Sequence, residues 1–329
     1  MTAGLALAGT KFGISIFKYI GGELRDPITG RVITGYEKPL TMNNPFQEFV
    51  IENLEDGVTF FNAYHFEVAE KIFKKCYQKI SDPRIKLASE MAHAFGCWDT
   101  FQYEQAVETY SKITKLVKEM ANFEILSETF KNTLTSMKKS LNKLSYSFGR
   151  RLNPNYDREL SALDIVCNAE RRIETGRYDD ALIRGYRAIE IIIEAKIEKE
   201  NKIKIWDPLW ESDFIRLYPE KVRILSEKFK DKLPKRPYLE DVLTLLEVLE
   251  SPFLKILSDK KFDIDNLRTR RNKLRLIHGI GCATKSDAEG CLKTSKDFMA
   301  NWLQLTPEQL EEQLKKLRFP KLSPEHLIL

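Results

Sequence analysis

Cysteine is scarce in this chain. Cys76, Cys97, Cys167, Cys282 and Cys291 are widely spaced, odd in number and form no CxxC pair. That pattern argues against a disulfide framework and against a structural zinc site. Cys282 follows His278 by four positions but has no third group to orient it as a nucleophile, and is expected to be a packing residue. Histidine is scarcer still, at His65, His93, His278 and His326. No apolar run approaches the roughly 20 residues a bilayer requires, and the short run at 4–9 has no basic segment before it. A cytoplasmic protein without membrane contact is expected. Nor does one sign of charge dominate, because 53 Lys and Arg face 48 Asp and Glu. The resulting +5 permits contact with nucleic acid without demanding it. Paired carboxylates, such as Asp179 with Asp180 and Glu311 with Glu312, fall where helix starts and helix surfaces favour them, so no metal site is expected.

What remains is ordinary for a globular chain, with 43% hydrophobic and 31% charged residues over 329 positions. Two domains are the natural prior. Residues 13–20 alternate in the β-branched and aromatic manner of a strand, residues 25–35 read as a turn-rich hairpin, and Pro39 and Pro45 mark the change to helices. From there helical periodicity dominates. Three passages, FNAYHFEVA at 61–69, WDTFQYEQA at 98–106 and IETGRYDDA at 173–181, each put an aromatic three residues before an alanine entering a new helix. Their intervals are 37 and 75 residues, the second close to twice the first. The spacing resembles tetratricopeptide-type helical hairpins, which keeps a peptide-binding solenoid open as a structural alternative.

The chemistry concentrates at 268–279, RTRRNKLRLIHG, where five basic residues surround one histidine. On a continuous helix, Arg271 and His278 lie two turns apart on one face, about 10 Å along the axis. Arg275 falls between them, Leu267, Leu274 and Ile277 form a neighbouring apolar stripe, and Gly279 is read as the helix stop. A guanidinium can hold a phosphate and stabilise a phosphorane, while an imidazole transfers protons near neutral pH. RNA cleavage suits that pair and needs no metal. The plainer reading is a solvated basic helix with a histidine favoured by the helix dipole. Residues 268–275 contain no acid, and Lys260 with Lys261 extends them, so a phosphate-tracking surface is expected through Arg268, Arg270, Lys273 and Arg275. His65, His93 and His326 are expected to be structural or solvated. Trp206, Trp210, Tyr218, Tyr238 and Phe253 are expected to pack a core, with base stacking open to one or two of them.

Several segments carry a family resemblance. Arg271 with Asn272, and then His278 with Gly279, resemble the Arg…His motif of HEPN ribonucleases. LDIVCNAERR at 163–172, GRYDDA at 176–181 and YRAIE at 186–190 resemble the helix pair that opens the HEPN region of the CRISPR-associated CARF/HEPN ribonucleases of type III systems. MTAGLALAG at 1–9 and RDPITGRVI at 25–33 are similar to the last helix and following strand region of that family's CARF domain. Two departures stand out. The family's Gly/Thr/Lys-rich ligand loop precedes the helix that here starts at Met1, and residues 273–277 read KLRLI where the family favours a serine and an alanine.

The resemblance implies a mostly α protein in three parts. These are a small N-terminal α/β (Rossmann-like CARF) remnant at 1–45, a helical-hairpin linker region at 46–150 and a C-terminal HEPN-like domain at 151–329. It implies a metal-independent endoribonuclease of single-stranded RNA in type III antiviral defence, working as a homodimer with one composite site. Arg271, Asn272 and His278 would be catalytic. Cyclic oligoadenylate would be the activator, although this chain alone is expected to bind it weakly or not at all, a separate chain then supplying the CARF half. The strand at 13–20 is expected to belong to a sheet that this chain cannot complete, with residues 1–40 mobile, paired with a second copy or packed on the helical region. The alternative is a non-catalytic helical module that binds RNA, a nucleotide or a protein.

Overall fold

In a computed structural model, the residues described are 16–22, 24–43, 45–121, 127–145, 157–230, 233–235, 237–277, 279–323 and 327. The chain forms two compact units, Met1–Lys138 with Phe319–Leu329, and Lys139–Arg318. The border expected near 150 falls in residues 146–156, outside the described residues. His326 lies outside them as well.

The first unit opens with strands β1 (Ile16–Gly21) and β2 (Lys38–Asn43), antiparallel, with Ile16 opposite Asn43 and Gly21 opposite Lys38. Between them Arg25 bridges Val32, and the Asp26 carboxylate accepts the backbone N–H groups of Ile28 and Thr29 to close the turn. A Rossmann-like remnant would put parallel strands under covering helices. The antiparallel pair corrects that expectation, and residues 1–15, where the helix of the resemblance falls, lie outside the described residues. The first strand also has a partner within the chain. Pro39 concealed it, because a proline is tolerated in an edge strand, and both strands of a two-stranded sheet are edges.

Helices follow: α1 (Pro45–Asn62), α2 (Phe66–Lys79), α3 (Pro83–Asp99), α4 (Tyr103–Ala121) and α5 (Glu128–Leu144). The second unit adds α6 (Arg158–Glu174), α7 (Tyr178–Asn201), α8 (Trp210–Leu217), α9 (Val222–Lys228), α10 (Leu239–Val248), α11 (Phe253–Asn272), α12 (Lys285–Leu303) and α13 (Pro307–Lys315). The mostly α class is as expected.

The three repeated passages fold into one turn type. Tyr64, Phe101 and Gly176 take left-handed backbone angles, with φ of 62°, 62° and 72°. After each, an N–H reaches back five residues, from His65 to Phe60, Gln102 to Cys97 and Arg177 to Arg172, all at 2.8 Å. These are Schellman closures, which satisfy the last carbonyls of one helix while aiming the chain into the next. Ala69, Ala106 and Ala181 are buried where the following helix crosses its neighbour. The aromatic and the alanine thus mark a hairpin, and the sequence interval follows from its repetition.

The core of the first unit is aromatic. Phe61, Phe66, Phe95 and Trp98 are buried, and Phe319 from the chain's end stacks on Phe95 at 4.7 Å with the rings 8° from parallel. Asn62 holds that segment by donating its amide to the Leu322 carbonyl and accepting the Leu322 N–H, both at 2.8 Å.

In the second unit α6 and α7 pair along their length, and α12 lies on α7. Gly185 permits that approach, since a Cβ there would stand 2.8 Å from the Cys291 sulfur. Ser295 donates to the Gly185 carbonyl at 2.9 Å, and Trp302 donates its indole N–H to Ile192 at 3.1 Å.

A charged tie joins α6 to the segment after α13. Glu170 accepts two 2.7 Å bonds from the Arg318 guanidinium, and the Lys296 ammonium lies 2.6 Å away. Burial alone would raise the Glu170 carboxyl, but bonds from Arg318 and Lys296 outweigh it and hold it below the ordinary 4.5. A carboxylate with a lowered folded value stabilises above the unfolded value and loses that contribution as pH falls through the folded one. Glu170→Gln is therefore expected to cost about 2 kcal/mol at pH 7, in the range of hydrogen bonds to charged groups. Denaturant titration should show the gap to wild type closing as pH drops below 4.5.

Candidate active site

The helix α11 is held to the second unit by Phe253, Leu257, Ile264 and Leu267, which are buried at helical spacing along one side. It ends at Asn272, with the Lys273 N–H bonded back to Thr269 and Arg270. The expected continuous helix to His278 is thereby corrected. Leu274 is buried and bridges Gly281, Arg275 N–H donates to the Gly281 carbonyl at 2.9 Å, and Gly281 N–H donates to Lys273 at 3.0 Å. A closed loop replaces the last two turns. Of the expected stripe, Leu267 and Leu274 are buried, whereas Ile277 is half-buried and off the helix.

Gly279 has a different role from a helix stop. Its N–H donates to Leu274 at 2.9 Å, and a Cβ would come 2.0 Å from the Lys273 carbonyl oxygen. Only glycine fits against that backbone. His278 lies outside the described residues, but Ile277 and Gly279 on either side belong to this loop.

Arg271 stands in the last turn of α11 with its guanidinium 5.2 Å from the centre of the Tyr186 ring on α7. The ring face attracts the cation and fixes its approach, a contact of about 0.5–2 kcal/mol. Nη1 also lies 3.4 Å from the Asn272 Oδ1. Burial, and then the Glu190 charge, push the Tyr186 hydroxyl up to about 12, so it stays protonated at neutral pH and cannot serve as a base. Tyr186 belongs to the segment YRAIE that carries the resemblance, but nothing in the sequence pattern gave it this part.

The basic run is less free than its sequence suggests. Arg268 pairs with Asp265 at 3.0 Å, Arg270 with Asp287 at 2.9 Å, and Lys261 with Glu240 and Asp265 at 2.6 and 3.0 Å. Asp287 also caps α12 through Thr284, so one carboxylate ties the end of α11 to the start of α12. Lys273 is exposed, and Arg275 reaches the Ile280 carbonyl at 3.5 Å. The structure thus gathers Arg271, Asn272 and Lys273 at the helix end and engages Arg268 and Arg270 with acids. Cys282 is exposed, contrary to the packing expected of it, while Cys76, Cys97, Cys167 and Cys291 are buried.

The first unit holds one arrangement that resembles a cysteine nucleophile's. His93 Nδ1 lies 3.1 Å from Glu70 Oε2, and Nε2 lies 3.9 Å from the Cys97 sulfur. Burial and the Glu70 charge both raise the thiol, however, and it donates to Gln105 at 3.8 Å. A protonated, buried thiol is a poor nucleophile. The group reads as a tie between α2 and α3.

Of the five aromatics expected in the core, Trp210 and Phe253 are buried, Trp206 and Tyr218 are half-buried, and Tyr238 is 76% exposed. No helix is long and apolar enough to cross a membrane among the described residues.

Two family models match the chain. One, described as the Csm6 HEPN domain, matches residues 155–301, and the other, described as the Csm6 6H domain, matches residues 50–144. No curated protein matches significantly. The first match contains α6, α7, α11 and the loop through Gly279.

Proposed function

Since the chain belongs to the CRISPR-associated Csm6-type HEPN ribonuclease family, we propose that it is an endoribonuclease that cuts single-stranded RNA without a metal. The observation that carries this reading is the Arg271 guanidinium, steadied on Tyr186 at the end of α11, seven positions before His278 in the sequence. In the proposed step the RNA's 2′-hydroxyl oxygen attacks the adjacent phosphorus, and the bond to the 5′-oxygen breaks. His278 takes part in moving the proton from the attacking hydroxyl to the leaving oxygen. Arg271 stabilises the charge on the phosphorane, and Asn272 orients Arg271 or the phosphate. Atoms balance as a 2′,3′-cyclic phosphate and a 5′-hydroxyl.

The same reading includes a homodimer whose two α11 ends share one composite site, with cyclic oligoadenylate as an activator that this chain alone binds weakly or not at all. Two apolar side chains in the loop after Arg271 support a covered face there, Leu276 at 65% and Ile280 at 90% exposed.

The test is cleavage of a labelled RNA in excess EDTA. Undiminished cutting with cyclic-phosphate ends is expected. Loss of activity with chelator, restored by magnesium, would overturn the mechanism.

A further inference from the structure

Next to Tyr186 the second unit contains a cleft of about 690 Å3 that the proposed chemistry leaves unused. Its size is that of a site for a small organic group. Its charges are internally matched. Arg158 pairs with Glu194 and Glu198 at 3.0 and 3.3 Å, Arg187 with Glu190 and Glu194 at 2.9 and 3.2 Å, and Arg268 with Asp265. A phosphate entering here would meet cations already engaged, whereas a neutral, flat group with hydrogen-bonding edges would disturb none of them.

Two aromatics suit such a group. Trp206 is fixed by its indole N–H, which donates to Glu198 at 3.1 Å, and by the Arg158 guanidinium 4.0 Å from its ring. Tyr238 lines the cleft while 76% exposed, and its backbone N–H is held by Asp241 at the start of α10. Glu190 supplies an edge contact. Its Oε2 takes the Arg187 bond while the residue lines the cleft. A carboxylate oxygen of this kind accepts from an exocyclic amine, as in cytosine readout.

We infer that this cleft holds a nucleobase of the RNA being cut, and that it favours the bases with an amine at the 4- or 6-position (cytosine and adenine) over those with a carbonyl there (uracil and guanine). The inference rests on the ribonuclease reading above. Tyr186 makes the connection, because the same ring lines the cleft and carries Arg271. A base in the cleft and a phosphate on Arg271 then belong to neighbouring positions of one unstacked strand, the usual form of single-stranded RNA recognition.

Tryptophan fluorescence gives a direct test. Trp98, Trp210 and Trp302 are fully buried, which leaves Trp206 as the accessible reporter among the chain's 4 tryptophans. The probes are 2′-O-methyl hexanucleotides of each base, which lack the attacking hydroxyl. The A and C hexamers should quench the signal, with the U and G hexamers about tenfold weaker, the scale of one hydrogen bond to a charged group. Tyr238→Ala should weaken quenching about fivefold or more, as expected for loss of one stacking partner. Glu190→Gln should erase the discrimination against U and G, because an amide can donate as well as accept. Trp206→Phe, which keeps an aromatic face, should bind with the signal gone. Absence of quenching by every hexamer, or unchanged binding in both Tyr238→Ala and Glu190→Gln, would overturn the inference. If the hexamers bind in this pattern but the matching ribo-hexamers stay uncut, the cleavage reading fails and the base site stands. If they are cut without base preference and Tyr238→Ala leaves KM unchanged, the base site fails and the cleavage reading stands.

Discussion

Arg271→Ala and His278→Ala are each expected to lower RNA cleavage by about a hundredfold or more, the scale for removing an electrostatic stabiliser or a general acid/base. Stability should barely move. Arg271 is half-buried at the helix end and makes one ring contact, so its truncation leaves the apolar face of α11 intact. Arg271→Lys sharpens the test, since the charge survives but the planar fork that can grip a phosphate twice does not. An intermediate rate is expected, with weaker dependence on the Tyr186 ring. Mixed protomers test the composite site in the same assay. Heterodimers of wild type with His278→Ala should lose activity per wild-type subunit, and full retention would mean independent sites. Full cleavage by either alanine variant would show that the reacting phosphate lies elsewhere.

The part of this site that the sequence reveals is the part set by local chemistry. The three aromatic-to-alanine passages announce their turns because a Schellman closure and a small crossing residue are both short-range requirements. The basic run that holds Arg271 is legible in the same way. The helix end at Asn272 is not, because KLRLI has good helical propensity and Gly279 imitates a stop. Tertiary demands decide it. Leu274 must be buried, the loop must return to Gly281, and a glycine must pass against the Lys273 carbonyl. Arg268 could be matched to Asp265 three residues earlier, but Arg270 finds Asp287 only after the loop has folded. The run thus looks freer in sequence than it is in space. Tyr186 shows the same limit, since its ring meets the Arg271 guanidinium only where α7 and α11 pack together.

The platform beneath the site should be far less tolerant than its edge. Trp302 is fully buried where α12 meets α7, stacked on Phe298 at 5.3 Å and tilted against Phe253 at 5.2 Å, with its indole N–H on the Ile192 carbonyl. Trp302→Ala removes the largest side chain at that junction and leaves a cavity that the Gly185 contact, already close, cannot collapse to fill. A loss of about 3–5 kcal/mol is expected. For a unit of this size each kcal/mol lowers Tm by about 2–4 °C, so the transition should fall by about 6–20 °C. Trp302→Phe, which keeps a ring against Phe298 but gives up the hydrogen bond, should fall by less than half as much. Cleavage should follow the melting curve in both variants, because α7 and α11 position Tyr186 and Arg271 only while α12 holds its place. Calorimetry paired with the cleavage assay decides the matter. A Trp302→Ala protein that melts like wild type would mean that α12 is not part of the core supporting the site.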